Sequence, residues 1–388
     1  MDNQFAIVHI ITGLDTGGAE MMLYQMLTKT DRGRYNPTVI SLIDLGTLGD
    51  RIEALGIPVY TIGMEPGKIP TPNIIWKLVN TVRKIQPDLI QGWMPHGNLA
   101  AQLAAIFSSR KIPVLWDIQS SLYSLALEKK LTAIVLKIGA YLSRLTFKIV
   151  YVSKVAQAQH EALGFASDKS CFIPNGIDIN RFVPSREAKL KFRQELGLPQ
   201  TAFLIGLICR YHPQKDHPNF IKAAALLLKN QPDIHFIMVG NAVEAKNQDL
   251  HQLIQELGIA DRIHLLGERK DISYITAALD IACSASAFGE ASPLIVAESM
   301  SAGVPCVVTD VGDSGWMIGD TGRVVPPKDP EALAKAWEEL LDLGSDYRET
   351  LGKLARARAI ECFSLDSVVA NYESLYERAI TQKQIDDI

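Results

Sequence analysis

Short apolar runs alternate with stretches of helical periodicity along the chain. In the first half the runs are FAIVHIIT (5–12), PTVISLI (37–43), IPVYTI (57–62), PDLIQGW (87–93), IPVLWDI (112–118) and FKIVYV (147–152). Helix-like stretches lie between them at 18–29, 73–85, 97–108 and 121–145. Near-continuous apolar runs belong to strands buried on both faces, so the pattern predicts a parallel sheet covered by helices. The same grammar restarts at AFLIGLIC (202–209) and continues through DIHFIMVG (233–240), RIHLLG (262–267), LDIACS (279–284) and VPCVVT (304–309). A turn-rich segment, IPNGIDINRFVPSRE (173–187), separates the two sets. The expected fold is α/β, with two doubly wound parallel-sheet, Rossmann-like domains facing a central cleft: residues 1–182 and 183–363. The last helical stretches, 330–343, 346–361 and 364–380, have no strand between them, and 364–388 is expected to cross back to the first domain.

Composition changes this picture little. The 388 residues include 47% hydrophobic and 21% charged side chains, an ordinary globular mix with ample material for two cores. Five cysteines without a CxxC pair read as reduced thiols, four of them in strand-like runs. The start, MDNQFAIVHIIT, has no basic leader region, and Lys137, Arg144 and Lys148 interrupt the best apolar run, so a cytoplasmic protein is expected. Charge is uneven. Residues 1–182 carry 18 Lys and Arg against 14 Asp and Glu, and the remainder 21 against 29. Either the first half meets an anionic partner, or this is only an uneven solvated surface. No nucleic-acid partner is expected.

Four places could carry chemistry. In GEASPLIVAE (289–298), Ser292 suits a helix N-cap and Pro293 the first helical position, with Gly303 as the stop. The free N–H groups at such a start favour an anion such as phosphate. Glu290 and Glu298 repel phosphate but accept hydroxyls well, so the segment suits a ligand with pyrophosphate and sugar parts. Equally, Glu298 is a solvated helix residue and Glu290 complements the helix dipole. Arg210 and Lys215 in CRYHPQKDH follow a strand, where they can neutralise a diphosphate or simply face water. Gly17 and Gly18 in GLDTGGAE allow close backbone approach or merely form a turn. His96 in GWMPHGNL can orient a hydroxyl, carry a proton, or bond to backbone. No metal site is expected, because the chain lacks HExxH, a Cys/His cluster and Asp-x-Asp. GxG and the P-loop pattern are also missing, which argues against a nicotinamide dehydrogenase.

FGEASPLIVAESMSAGVPCVVTDVG (288–312) closely resembles the E-x7-E signature of family 4 retaining glycosyltransferases of the GT-B fold. GGAE (17–20), FIPNGIDINRF (172–182), CRYHPQKDH (209–217), RIHLLGERKDI (262–272) and GDTGRVVPPKDPEALA (319–334) occur in that family's order. The resemblance implies a metal-independent transfer from a nucleoside diphosphate sugar to an acceptor hydroxyl, with no cofactor. It implies that Arg210 and Lys215 bind the diphosphate, Glu298 the ribose and Glu290 the sugar. Backbone at Ala291, Ser292, Pro293 and Leu294 would lie close to sugar and phosphate, and Leu266, Gly267 and Arg269 beside the base. Gly17 and Gly18 would close over the donor, and His96 would face acceptor and donor sugar. Gln119 departs from the pattern, standing where relatives often carry His or Arg. It cannot supply charge and is given no role beyond positioning. Lys130, Lys137 and Arg144 recur every seven residues beside Leu and Ile. They suit contact with an anionic membrane at its inner face and a lipid-linked acceptor, or a domain helix with its charged side in water. A nucleotide-sugar 2-epimerase and a catalytically silent nucleotide-sugar-binding protein are the alternatives.

Overall fold

Apolar runs become strands throughout the computed structural model, which describes residues 4–15, 17–122 and 130–386. The chain divides into two units: residues up to Gly176 together with those from Leu365, and Ile177–Ser364.

The first unit carries β1 (Phe5–Ile11), β2 (Tyr35–Ser41), β3 (Val59–Thr61), β4 (Leu89–Trp93), β5 (Val114–Ile118), β6 (Lys148–Tyr151) and β7 (Ser170–Phe172). They form one sheet in the order β3-β2-β1-β4-β5-β6-β7, every pair parallel. From β1 the chain builds outward through β2 and β3, then returns to add β4 on the other side. Loops leaving β1 and β4 therefore diverge, opening a crevice at the carboxyl ends of those strands. The helix Leu365–Asp386 belongs to this unit. It buries Leu365, Val368, Tyr372, Leu375 and Tyr376 in one core with Met22, Leu23 and Trp93. Each apolar side chain so buried contributes roughly 1.5–3 kcal/mol.

The second unit repeats the scheme with β8 (Phe203–Ile208), β9 (Ile234–Val239), β10 (Ile263–Leu265), β11 (Ile281–Ser284), β12 (Cys306–Thr309) and β13 (Gly322–Val325). Their order is β10-β9-β8-β11-β12-β13, again all parallel. Its crevice lies between the ends of β8 and β11. Phe220, Phe236 and Trp337 pack edge-on beneath the sheet, with Phe220 and Trp337 centroids 5.2 Å apart.

Three expectations change. Residues 177–182 lie with the second unit rather than the first. Ile177 N–H donates to Phe363 O at 2.8 Å, and Phe182 O accepts from Ser301 Oγ at 2.7 Å and Arg356 Nη1 at 2.9 Å. Strands β7 and β13 fall outside the runs that the pattern marked; both are sheet edges, paired on one side only. Of the helix expected over 121–145, Lys130–Leu142 is α-helix and Ser143–Leu145 tightens to a 3-10 turn, while 123–129 lie outside the described residues.

Candidate functional site

The second unit's crevice is built from the segment after β8 and the segment after β11. Arg210 follows β8 and is exposed, forming no ion pair among the described residues. Pro213–Lys215 makes one 3-10 turn, and Asp216 then caps the helix His217–Leu227 through Asn219 N–H. That turn delivers Lys215 Nζ to Glu290 Oε1. Ser286 Oγ donates to the same oxygen at 2.8 Å, and the Glu290 side chain is only 8% exposed. Lys215 thus pairs with a buried carboxylate, while Arg210, earlier on the same segment, stays exposed.

Neighbouring strands hold the Glu290 loop in place. Ala287 N–H donates to Gln214 O at 2.8 Å, Thr309 Oγ1 to Ser286 O at 2.7 Å, and Asp313 N–H to Ala291 O at 2.9 Å. Gly312 makes the last contact feasible: its φ is +61°, and a Cβ there would sit 2.3 Å from Glu290 O. The following helix spans Leu294–Ser301, with Pro293 rather than Ser292 at the cap. Ser292 is buried with its hydroxyl against Met317 Sδ at 3.5 Å, so it cannot reach back to cap the helix. The N–H groups of Leu294 and Ile295, lacking partners within the helix, open it.

Glu298 lies on that helix, partly accessible, and its carboxylate makes no hydrogen bond among the described residues. Surrounding protein pushes its carboxyl up to about 7, against the pull of Arg181. Leu266 and Gly267 follow β10 and are fixed by backbone, with Leu266 N–H on Met238 O at 3.0 Å and Gly240 N–H on Gly267 O at 2.8 Å. Arg269 turns its guanidinium to Asp271 at 2.6 and 2.8 Å and to Glu195 at 2.8 Å. That side chain is occupied.

The remaining predicted residues lie in the first unit. Gly17 caps the helix Gly18–Lys29, and a Cβ on Gly18 would meet nothing within 4 Å. His96 lies in the first turn of the helix Met94–Ile106, half-buried, and burial lowers its basicity. Met94 enters that helix at φ +63°, a conformation that costs a side chain about 1–3 kcal/mol. Close packing holds the turn: a Cβ on Gly97 would lie 2.5 Å from Ile10 O.

Polar residues that the motifs did not single out are buried in this unit, among them Gln91, Asn98, Asp117 and, from the last helix, Tyr372. Polar letters inside the apolar runs PDLIQGW and VLWDI were the only sign of two of them. In the second unit Arg181, beside Glu298, was missed as well. Among the described residues no three of His, Cys, Asp and Glu gather as metal ligands, and no helix is long and apolar enough to cross a membrane.

Comparison with known proteins agrees with this arrangement. Residues 16–181 match the family described as Glycosyltransferase Family 4, and residues 188–358 match Glycosyl transferases group 1. The Escherichia coli UDP-Gal:alpha-D-GlcNAc-diphosphoundecaprenol alpha-1,3-galactosyltransferase is 27% identical over 220 residues, 55% of this chain and 56% of that protein. The MMP alpha-(1->4)-mannosyltransferase of Mycolicibacterium hassiacum is 30% identical over 215 residues, 54% of this chain and 48% of that one. The chain thus spans about half the length of the curated relatives it matches. Anabaena HepE in complex with UDP has the same fold, with a TM-score of 0.85 over 96% of this chain and 100% of HepE at 23% identity. WaaG, a glycosyltransferase involved in lipopolysaccharide biosynthesis, gives 0.71 over 96% and 99% at 18% identity. The shared fold is the two-sheet GT-B architecture.

Proposed function

Because the chain belongs to family 4 of the glycosyltransferases, we propose that it moves a hexose from a nucleoside diphosphate sugar to an acceptor hydroxyl, with retention at the anomeric carbon. The observation that carries this reading is the buried Lys215–Glu290 pair at the second unit's crevice, on the segment after β8 that also carries Arg210. A cationic group and a hydroxyl acceptor stand together there, as a ligand with both diphosphate and sugar parts requires.

In this reading Arg210, Lys215 and the helix start at Leu294 take up the charge that grows on the departing diphosphate. No metal ion is assigned to that task. Glu290 accepts from a sugar hydroxyl, and Glu298 accepts from the ribose hydroxyls. Backbone at Ala291, Ser292 and Pro293 lies against sugar and phosphate. Leu266 and Gly267 line the base through their backbone, with Arg269 held aside by its own acidic partners. Gly17 and Gly18 are assigned to the donor, and His96 to the acceptor and donor sugar. The bond from the anomeric carbon to phosphate oxygen breaks, the acceptor oxygen bonds on the same face, and its proton passes to a phosphate oxygen.

A lipid-linked acceptor in surface polysaccharide or glycolipid synthesis suits this chain, and two features support it. The Escherichia coli relative is named for a diphosphoundecaprenol acceptor. The helix Lys130–Leu142 and the turn after it leave Ile134, Ile138, Tyr141 and Leu145 exposed beside Lys130, Lys137 and Arg144. Apolar side chains with basic neighbours suit the surface of an anionic membrane.

The experiment is a thermal-shift screen against nucleoside diphosphates and their sugars, headed by UDP and UDP-glucose. A ligand of the folded state at a hundredfold excess over its Kd stabilises by ~2.7 kcal/mol. A shift abolished by Glu298→Ala and weakened by Arg210→Ala upholds the site, and no shift with any ligand sinks it.

A further inference from the structure

The second unit also holds a cavity of about 420 Å³, lined entirely by its own residues. That volume falls in the range of small-molecule sites, roughly 300–1,000 Å³. Asp216, Asn219, Lys222, Phe288, Lys328 and Pro330 lie on its wall, and none of the residues assigned to the nucleotide sugar does. Lys222 and Lys328 are exposed and form no ion pair among the described residues. Both act on one carboxylate: burial raises the Asp216 carboxyl, and the Asn219 N–H, Lys328 and Lys222 draw it back down. Asp216 is itself committed to the helix His217–Leu227, where its Oδ1 accepts from Asn219 N–H at 3.3 Å. Two ammonium groups thus bear on a single carboxylate, and one positive charge is left over.

Asn219 points to a guest. It is 4% exposed, and neither the oxygen nor the nitrogen of its side-chain amide has a hydrogen-bond partner among the described residues. Buried polar groups nearly always have partners, and this partnerless one belongs to a residue on a cavity wall. An amide with both ends open donates to one ligand atom and accepts from another. Beside two ammonium groups, the fitting complement is a phosphate oxygen for its NH2 and a hydroxyl for its oxygen. The first turns of the helices His217–Leu227 and Pro330–Asp342 also reach the wall, through Pro218 and Pro330, and helix starts favour an anion.

We propose that this cavity binds a phosphate group with a hydroxyl beside it, as in hydrogen phosphate or a sugar phosphate. Lys222 and Lys328 neutralise the phosphate, while the Asn219 amide donates to a phosphate oxygen and accepts the hydroxyl. Phe288 gives a sugar ring an apolar face to lie on. The site is separate from the crevice: Pro213 and Ala287 line it, whereas Lys215 and Glu290, on the same two segments, do not.

The test is calorimetry on the full chain at fixed ionic strength, with inorganic phosphate and glucose 6-phosphate as probes and UDP as the marker of the crevice. Both probes are expected to bind, and UDP to leave them in place. Tighter binding of glucose 6-phosphate upholds a sugar phosphate as the ligand, and equal or weaker binding upholds free phosphate. Lys222→Met with Lys328→Met should weaken both probes at least about tenfold, the loss expected for hydrogen bonds to charged groups, and leave UDP binding unchanged. Asn219→Leu, of similar size, should lose the probes while melting no lower, because an unpartnered buried amide adds nothing to folding. Should it fail to fold, the lysine variants carry the test alone. Arg210→Ala should do the reverse, weakening UDP only. No binding of either probe at about 10 mM, displacement of both by UDP, or wild-type affinity in the double lysine variant or in folded Asn219→Leu overturns the proposal. A chain that takes the probes but not UDP counts against the nucleotide-sugar reading instead, and the lysine variants then decide the phosphate site.

Discussion

Lys215 Nζ meets Glu290 Oε1 in a place where the glutamate side chain is only 8% exposed and Ser286 Oγ shares the same oxygen. A buried carboxylate that loses its cation is costly, because desolvation is no longer offset. The pair lets one loop present an acceptor and a positive charge together.

Removing that cation is therefore expected to lower stability as well as turnover. Lys215→Met should lower kcat/KM on the order of 10²-fold or more, as loss of a charge-stabilising donor does elsewhere. Initial-rate measurements of nucleotide release check this, with a melting curve as control. Full activity in Lys215→Met would remove the residue from the mechanism.

Glu298 gives the protein a pH dependence of defined sign. Its folded pKa, about 7, stands above the 4.5 of a free glutamate, so the native state binds more protons in between. That contribution to stability is fully present below about 4.5 and is lost as pH rises through about 7, by at most about 3 kcal/mol. Glu298→Gln removes it. The melting difference, variant minus wild type, should grow more positive from pH 4.5 to 8, and a flat difference would count against the burial of this carboxylate.

Gly312 supports Glu290 from a distance in sequence. Gly312→Ala puts a methyl 2.3 Å from Glu290 O at a φ of +61°. The strain costs about 1–3 kcal/mol or displaces the loop. Lower stability together with weaker nucleotide binding is the expected result, measured by denaturation and calorimetry. Wild-type binding in a folded variant would show that the loop does not depend on this contact.

Truncation after Ser364 should unfold the first unit. The lost helix buries Leu365, Val368, Val369, Tyr372, Leu375, Tyr376, Ala379 and Ile380. At roughly 1.5–3 kcal/mol for each large side chain, that sum exceeds the whole stability of an ordinary domain, about 5–15 kcal/mol. Hydrogen exchange should show β1, β4 and β5 unprotected while β8 and β9 stay protected. Protection throughout β1–β5 would contradict the packing described.

Membrane contact is tested with vesicles. Full-length protein should sediment with phosphatidylglycerol vesicles at low salt and much less with phosphatidylcholine. Charge reversal at Lys137 and Arg144 should weaken the affinity on the order of tenfold or more, at about 1 kcal/mol per basic residue near the surface. Ile138→Asp should act in the same direction through lost apolar contact. Protein left in the supernatant with both lipids would refute the contact.

The two-sheet architecture and the candidate site in the second unit were largely legible in the chain. A buried parallel strand needs an unbroken apolar run and a crossover helix needs a 3.6-residue stripe, and both are local patterns. Arg210, Lys215, Glu290 and Glu298 stood out because a strand end followed by a helix start is where this fold gathers ligands. The cap at Ser292 did not follow local propensity, because packing against Met317 took its hydroxyl away. Edge strands β7 and β13 needed a neighbour already in place. Asp117 and Tyr372 lie 255 positions apart and share one hydrogen bond. Neither letter announces the other, since a buried polar pair is defined by what the fold brings together. Sequence alone determined the elements and their order, because periodicity and turn chemistry act over a few residues. Only the tertiary structure decided which polar side chains are buried together, because desolvation and hydrogen-bond geometry depend on every element that meets at the spot.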